Sequence, residues 1–146
     1  MGYLLDSNIL VRTFHRNDPQ NVLVRLALRK LAGQGEALYF VPQNIAEVWN
    51  VCTRPVSSRG GYGLTVANAD RITRLIDRQF KFLPDNVHCY YEWRKLLLQH
   101  SIQGASVYDA RLVATMRIYG ISHILTLNDK DFRRYPGITA VHPANV

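Results

Sequence analysis

Tyr3-Leu4-Leu5-Asp6-Ser7-Asn8 is the stretch from which the rest of the chain is read. Its apolar run is short and stops on an acid and two small polar residues, the pattern of a buried strand ending in a loop that caps the next helix. Asp6 then stands at the carboxyl end of that strand. In open parallel α/β sheets the ligand crevice lies outside those ends, where a carboxylate can hold a metal or a phosphate. Position alone leaves a second role open, because Asp is also a favoured helix cap. The residues that converge on the same sheet edge decide between the two.

Outward from this stretch, helix and strand signals alternate. Ile9 to Phe14 reads as a short helix. Asp18-Pro19 joins a cap to a proline at the first helical position and opens a second helix, with Val22, Leu26 and Leu31 inward, Arg25, Arg29 and Lys30 outward, and Gly33 as its stop. Leu38 to Val41 is a compact strand ended by Pro42, and Gln43 to Arg54 is a helix closed by Pro55. On that helix Ile45, Val48, Trp49 and Cys52 form one buried stripe, while Glu47 lies about 150° away and faces solvent or a cleft.

Pro55 to Leu64 reads as a loop and a candidate flap over a substrate; its glycines do not follow the phosphate-loop pattern GxxxxGK[ST]. Thr65 caps a helix running to about Phe80, with Ala69, Ile72, Leu75 and Ile76 inward, and Lys81-Phe82-Leu83 is a short strand. The next helix, from about Asn86 to His100, carries Tyr90, Tyr91, Trp93, Leu96 and Leu97, read as core packing rather than a base-stacking platform. Ser106 to Met116 begins a nearly all-apolar, hence buried, helix that Gly120 ends. Ser106 and Asp109 have capping-box spacing, and a carboxylate near a positive helix N-terminus also stays ionised readily, as a metal ligand must. His123 to Leu127 is a strand ending in the polar run Asn128 to Asp131, and Pro136-Gly137 turns the chain into a last strand near Ile138 to Val141. This alternation predicts an α/β fold, a three-layer α/β/α sandwich with a mainly parallel central sheet, formed by a single domain over residues 1–146.

Lys and Arg number 18 against 11 Asp and Glu, a net charge of +7, which favours a polyanionic partner such as nucleic acid. No apolar run approaches the ~20 residues that would span a bilayer, and the N-terminus shows no signal-peptide pattern, so a cytoplasmic protein is expected. Cys52 and Cys89 lack metal-ligand spacing and are read as reduced structural thiols. The five histidines show no HExxH, and no Gly-x-Ser-x-Gly elbow is present, which disfavours zinc and serine-hydrolase chemistry. Asp6, Glu47, Asp109 and the Asn128 to Asp131 loop gather at one end of the sheet if the architecture holds. Clustered carboxylates repel, and Mg²⁺ or Mn²⁺ with hard oxygen ligands relieves that repulsion.

Leu4-Leu5-Asp6-Ser7-Asn8, Pro42-Gln43-Asn44-Ile45-Ala46-Glu47, Tyr108-Asp109-Ala110-Arg111-Leu112-Val113-Ala114 and Thr126-Leu127-Asn128-Asp129-Lys130-Asp131-Phe132 resemble, in order and spacing, the successive acidic motifs of PIN domains, particularly VapC-type toxin ribonucleases. The resemblance implies a metal-dependent endoribonuclease that hydrolyses RNA by in-line attack and leaves a 5′-phosphate. Within it Asp6 and Asp109 match the principal metal-binding acids, and Glu47 the acid that completes the ligand set or orients water. Asn128 stands where many members have Asp, Asp131 fits the following Asp-Phe pair, and Asp129 is an extra neighbour. Arg111, Lys130, Arg133 and Arg134 are candidates to hold the RNA backbone. A cognate antitoxin, a homodimer and an Mg²⁺ or Mn²⁺ cofactor are implied as well. The alternatives are a catalytically silent PIN-like module that binds RNA or protein, and an Asp-phosphorylated α/β domain, which the missing second Asp after Asp6 disfavours.

Overall fold

The computed structural model describes residues 1–146. Its strands are β1 (Gly2–Leu5), β2 (Ala37–Phe40), β3 (Lys81–Phe82), β4 (His123–Leu125) and β5 (Thr139–Val141). The helices are α1 (Ser7–Thr13), α2 (Asn21–Gly33), α3 (Pro42–Thr53), α4 (Val66–Gln79), α5 (Val87–Gln99) and α6 (Ser106–Tyr119), with short 3-10 turns at Asp129–Phe132 and Pro143–Asn145. The strands form one sheet in the order β3-β2-β1-β4-β5, and every pairing is parallel. From β1 the chain builds outward to β3 on one side and then crosses over to β4 and β5 on the other. The order therefore reverses between β1 and β4, the place where parallel sheets open a crevice at their carboxyl ends.

Successive strand residues point to opposite faces, and the two cores follow from that. Leu5 and Leu125 join Ile9, Leu10, Val24, Leu28, Leu31, Val48, Cys52 and Ile76 beneath α1 to α4, whereas Leu4 and Ile124 join Leu96, Val113, Met116 and Phe132 beneath α5 and α6. Helices thus cover both faces of a parallel sheet, the expected three-layer sandwich. Each fully buried leucine here contributes about 1.5–3 kcal/mol relative to exposure.

Several local readings are corrected. The second helix begins at Asn21 rather than Pro19, because the Asp18 carboxylate accepts from the Gln20 N–H at 2.9 Å and closes a lead-in turn. Its inward stripe is Val24, Ala27, Leu28 and Leu31, which leaves Val22 at 68% and Leu26 at 57% exposure. Arg25 is half-buried rather than outward. Tyr90 and Tyr91 on α5 are exposed, while Leu96 fills the core. At α6 the capping box does not form: Ala105 is the cap residue, no side chain bonds there, and Ser106 is already helical. The left-handed turn at Gly104 (φ 59°) starts that helix early, and Asp109 has no capping duty.

Candidate active site

Two strand-to-helix junctions (β1–α1 and β2–α3), the first turn of α6 and the β4 exit loop build the site. Asp6 follows β1 and caps α1, its Oδ1 accepting from the Ser7 N–H at 2.7 Å. Leu5 pairs with Leu125 across the parallel ladder, so the next residues, Asp6 and Thr126, meet side by side. The Thr126 hydroxyl donates to Asp6 Oδ2 at 2.7 Å, and Asn8 Nδ2 approaches the same oxygen at 3.3 Å. Asn8 Oδ1 in turn accepts from the Leu127 N–H at 3.2 Å, fixing the loop that carries Asn128. Capping and site chemistry therefore fall on the same carboxylate.

Glu47 projects from α3. Gln43, one turn earlier, donates from Nε2 to Glu47 Oε1 at 2.9 Å and to the Tyr108 carbonyl at 3.0 Å, which ties α3 to the start of α6 beside Asp109. Ser7 Oγ donates to Glu47 Oε1 at 3.3 Å, and the fully buried Asn44 donates to Ser7 Oγ and to the Leu5 carbonyl. Gln43, Asn44 and Thr126 were not singled out in the sequence. A glutamine one helical turn before Glu47, and a threonine in ladder register with Asp6, are the signals that mark them.

Asp6, Glu47, Asp109 and Asn128 line one cleft of about 540 Å³, together with Ser7, Asn8, Arg12, Asp18, Tyr62 and the loop residues Arg59 and Gly60. Asp131 does not line it but is near enough for its charge to act on Asp6 and Asp109. Burial raises the Asp6 carboxyl to about 6, with Glu47 and Asp131 adding to the rise and the Thr126 and Ser7 hydrogen bonds opposing it. Asp109 is pushed up to about 7, first by burial and then by the charges of Asp6, Asp131 and Glu47, while Arg134 pulls the other way. Burial first, and like-charge repulsion second, make each of these two carboxyls keep its proton to higher pH.

The donor set suits a hard divalent cation: several carboxylates that repel, an exposed amide at Asn128, and a buried Gln43 Oε1 that no protein group satisfies. Even so, no three Asp, Glu, His or Cys side chains are drawn together closely enough to enclose an ion. The site is an open cleft rather than a closed cage.

The Pro55 to Leu64 loop lies on this cleft but is not a free flap. Tyr62, Gly63 and Leu64 donate their N–H groups to the Val51, Arg54 and Cys52 carbonyls at 3.0, 2.8 and 2.7 Å, fastening the loop to the end of α3. Arg54 Nη2 donates to the Arg59 carbonyl at 2.8 Å, and Arg59 sits in the left-handed region at φ 46°. Arg111, by contrast, is committed elsewhere. It pairs with Asp85 at 2.8 Å and lies over the Trp93 ring, away from the acids. Arg133 pairs with Asp129 at 3.8 Å.

A model of the PIN domain matches residues 3–138. The chain belongs to the PIN domain family. This PIN domain has no match among curated proteins, but solved structures share its fold along nearly its whole length. VapBC2 from Rickettsia felis, solved bound to a promoter DNA fragment, superposes with a TM-score of 0.70 at 18% identity, covering 97% of this chain and 98% of that one. A toxin-antitoxin complex from Klebsiella pneumoniae gives 0.65 at 19% identity over 99% and 100%. VapC20 of Mycobacterium tuberculosis, described as a toxin that cleaves the sarcin-ricin loop, gives 0.60 at 14% identity over 84% and 87%. At these identities the likeness is one of fold.

Proposed function

We propose that this PIN domain is an Mg²⁺- or Mn²⁺-dependent endoribonuclease and the toxin of a type II toxin-antitoxin pair. The observation that carries the reading is the convergence of Asp6 at the α1 cap, Glu47 on α3 and Asp109 at the start of α6 on one cleft, where burial and the neighbouring carboxylates raise Asp6 and Asp109. Asp6, Asp109 and Glu47 would hold the cation, with Asn128 and Asp131 at the rim. When bound, the metal would supply charge stabilisation to the phosphate oxygens and activation of the attacking water.

The protein's own groups do the positioning. Thr126 and Asn8 fix the Asp6 carboxylate, and Ser7 and Gln43 fix Glu47. Arg12, Arg54 and Arg59 bring positive charge into the same cleft as the acids, where it favours a phosphodiester backbone.

The likeness to toxins solved with their antitoxins supports a cognate antitoxin as partner. A homodimer is proposed through the outer stripe of α5, where Val87, Tyr91 and Leu98 are exposed. No helix is long and apolar enough to cross a membrane; a single-domain, cytoplasmic protein remains the proposal. The open spacing of the acids favours one competing reading, a catalytically silent module that binds RNA or protein.

Expression in a bacterial host tests the reading. The chain alone should arrest growth, Asp109→Asn should not, and co-expression of a short neighbouring reading frame should relieve the arrest. Growth unaffected by the unmodified chain would remove the toxin assignment.

A further inference from the structure

A second cavity, of about 420 Å³, opens on the α1–α2–α4 side of the molecule, and Arg16, Arg25 and Arg71 all line it. None of the three is in an ion pair: the protein's salt bridges use Arg12, Arg74, Arg111, Arg117 and Arg133. Even Asp70, the acid next to Arg71 in sequence, is turned to Arg74 at 3.1 Å. Three guanidinium groups facing one space without a carboxylate repel one another, and an anion relieves that repulsion as a cation does for carboxylates. Asn68 and Gln79 add uncharged hydrogen-bonding groups to the same walls.

The cavity adjoins the acidic cleft through one shared partition. His15 faces the arginine cavity and Tyr62 faces the cleft, and their rings stack with centroids 3.8 Å apart and planes within 14°. Tyr62 is held upright by its hydroxyl, which donates to Asp18 Oδ2 at 3.1 Å. We propose that the Arg16–Arg25–Arg71 cavity binds a backbone phosphate of the RNA strand after that strand leaves the acidic cleft across the His15–Tyr62 pair. The proposal rests on the RNA-cleaving reading above and adds to it an extended, sequence-independent contact. Guanidinium forks match phosphate oxygens, and the aromatic pair gives the crossing strand a surface that an unpaired base can lie on.

The test uses Arg16→Ala/Arg71→Ala, since both positions are exposed and neither side chain makes a hydrogen bond or ion pair. Binding of an oligouridylate of about 16 nucleotides is followed by fluorescence anisotropy in metal-free buffer over a salt series. Loss of that one phosphate contact should flatten the dependence of log Kd on log salt by about 0.7, and Arg71→Glu should weaken binding further. Cleavage of a dinucleotide should be unchanged, while KM for the long RNA rises at constant kcat. Affinity and salt slope equal to those of the parent would overturn the proposal, with the nuclease reading intact. Unchanged RNA binding with loss of polyglutamate binding would assign the cavity to an acidic polypeptide and overturn it as well. If the unmodified chain cleaves no RNA, the nuclease reading fails, and the salt slope still decides whether RNA occupies this cavity.

Discussion

Replacing Asp6 by Asn should stabilise the metal-free protein at alkaline pH, an unusual outcome for a buried residue with three hydrogen-bonding neighbours. Asp6 is only 8% exposed, and burial moves its carboxyl from 3.8 to about 6. The native state thus holds this proton more tightly than the unfolded chain does. The stability it contributes is fully present below pH 3.8 and is lost as pH rises through about 6. Above that range the charged carboxylate leaves the fold about 3 kcal/mol less stable than the protonated one. Asparagine keeps the shape and an acceptor for the Ser7 N–H but carries no charge. It forfeits the Asn8 contact, the longest of the three at 3.3 Å, at a cost of about 1 kcal/mol. The net gain of about 2 kcal/mol corresponds to a Tm rise of about 4–8 °C in EDTA near pH 8, fading near pH 4. Thermal melts at both pH values read it directly. Saturating Mg²⁺ should raise the Tm of the parent and leave that of Asp6→Asn nearly fixed. A variant that melts lower than the parent by the same margin at both pH values would refute the reasoning.

Asp109→Asn should abolish RNA cleavage without lowering Tm, because Asp109 makes no capping bond at α6; a loss of more than about 1 kcal/mol in a melt would show that it does. Thr126→Val removes the 2.7 Å bond that holds Asp6 ionised, so the acid limb of the cleavage–pH profile should move to higher pH by roughly one unit, and an unmoved limb would take Thr126 out of the account. Gly61→Ala would drive a Cβ into the Arg54 and Pro55 carbonyls and should cost about 1–3 kcal/mol in a denaturant titration; an unchanged midpoint would mean that the loop is not fastened to α3.

The sheet and its acids were legible because the signals that carry them are local. Leu4-Leu5-Asp6 and His123 to Leu127 each announce a buried strand that stops on polar residues, and two parallel strands of that kind place their ends together. What escaped the reading depends on registration between elements. Thr126 looks like an ordinary strand residue until Leu5 is paired with Leu125, and Gln43 has no distinction until α3 and α6 are set side by side. Arg111 lies inside an acidic motif yet points to Asp85 and Trp93, since its helical phase turns it away from Asp109. Val22 and Leu26 satisfy an i, i+4 pattern as well as Val24 and Leu28 do, and only the position of the sheet decides which pair is buried.

The central claim is that the acids of this cleft cut RNA with a divalent metal, and end-mapping on purified protein tests it most directly. Total RNA is incubated with the protein in Mg²⁺ or in EDTA, and the new 5′-phosphate ends are sequenced for the parent, Asp6→Asn and Asp109→Asn. The account predicts discrete new ends for the parent in Mg²⁺ and none in EDTA or with either variant. The same ends in EDTA, or from a folded Asp6→Asn protein, would contradict it.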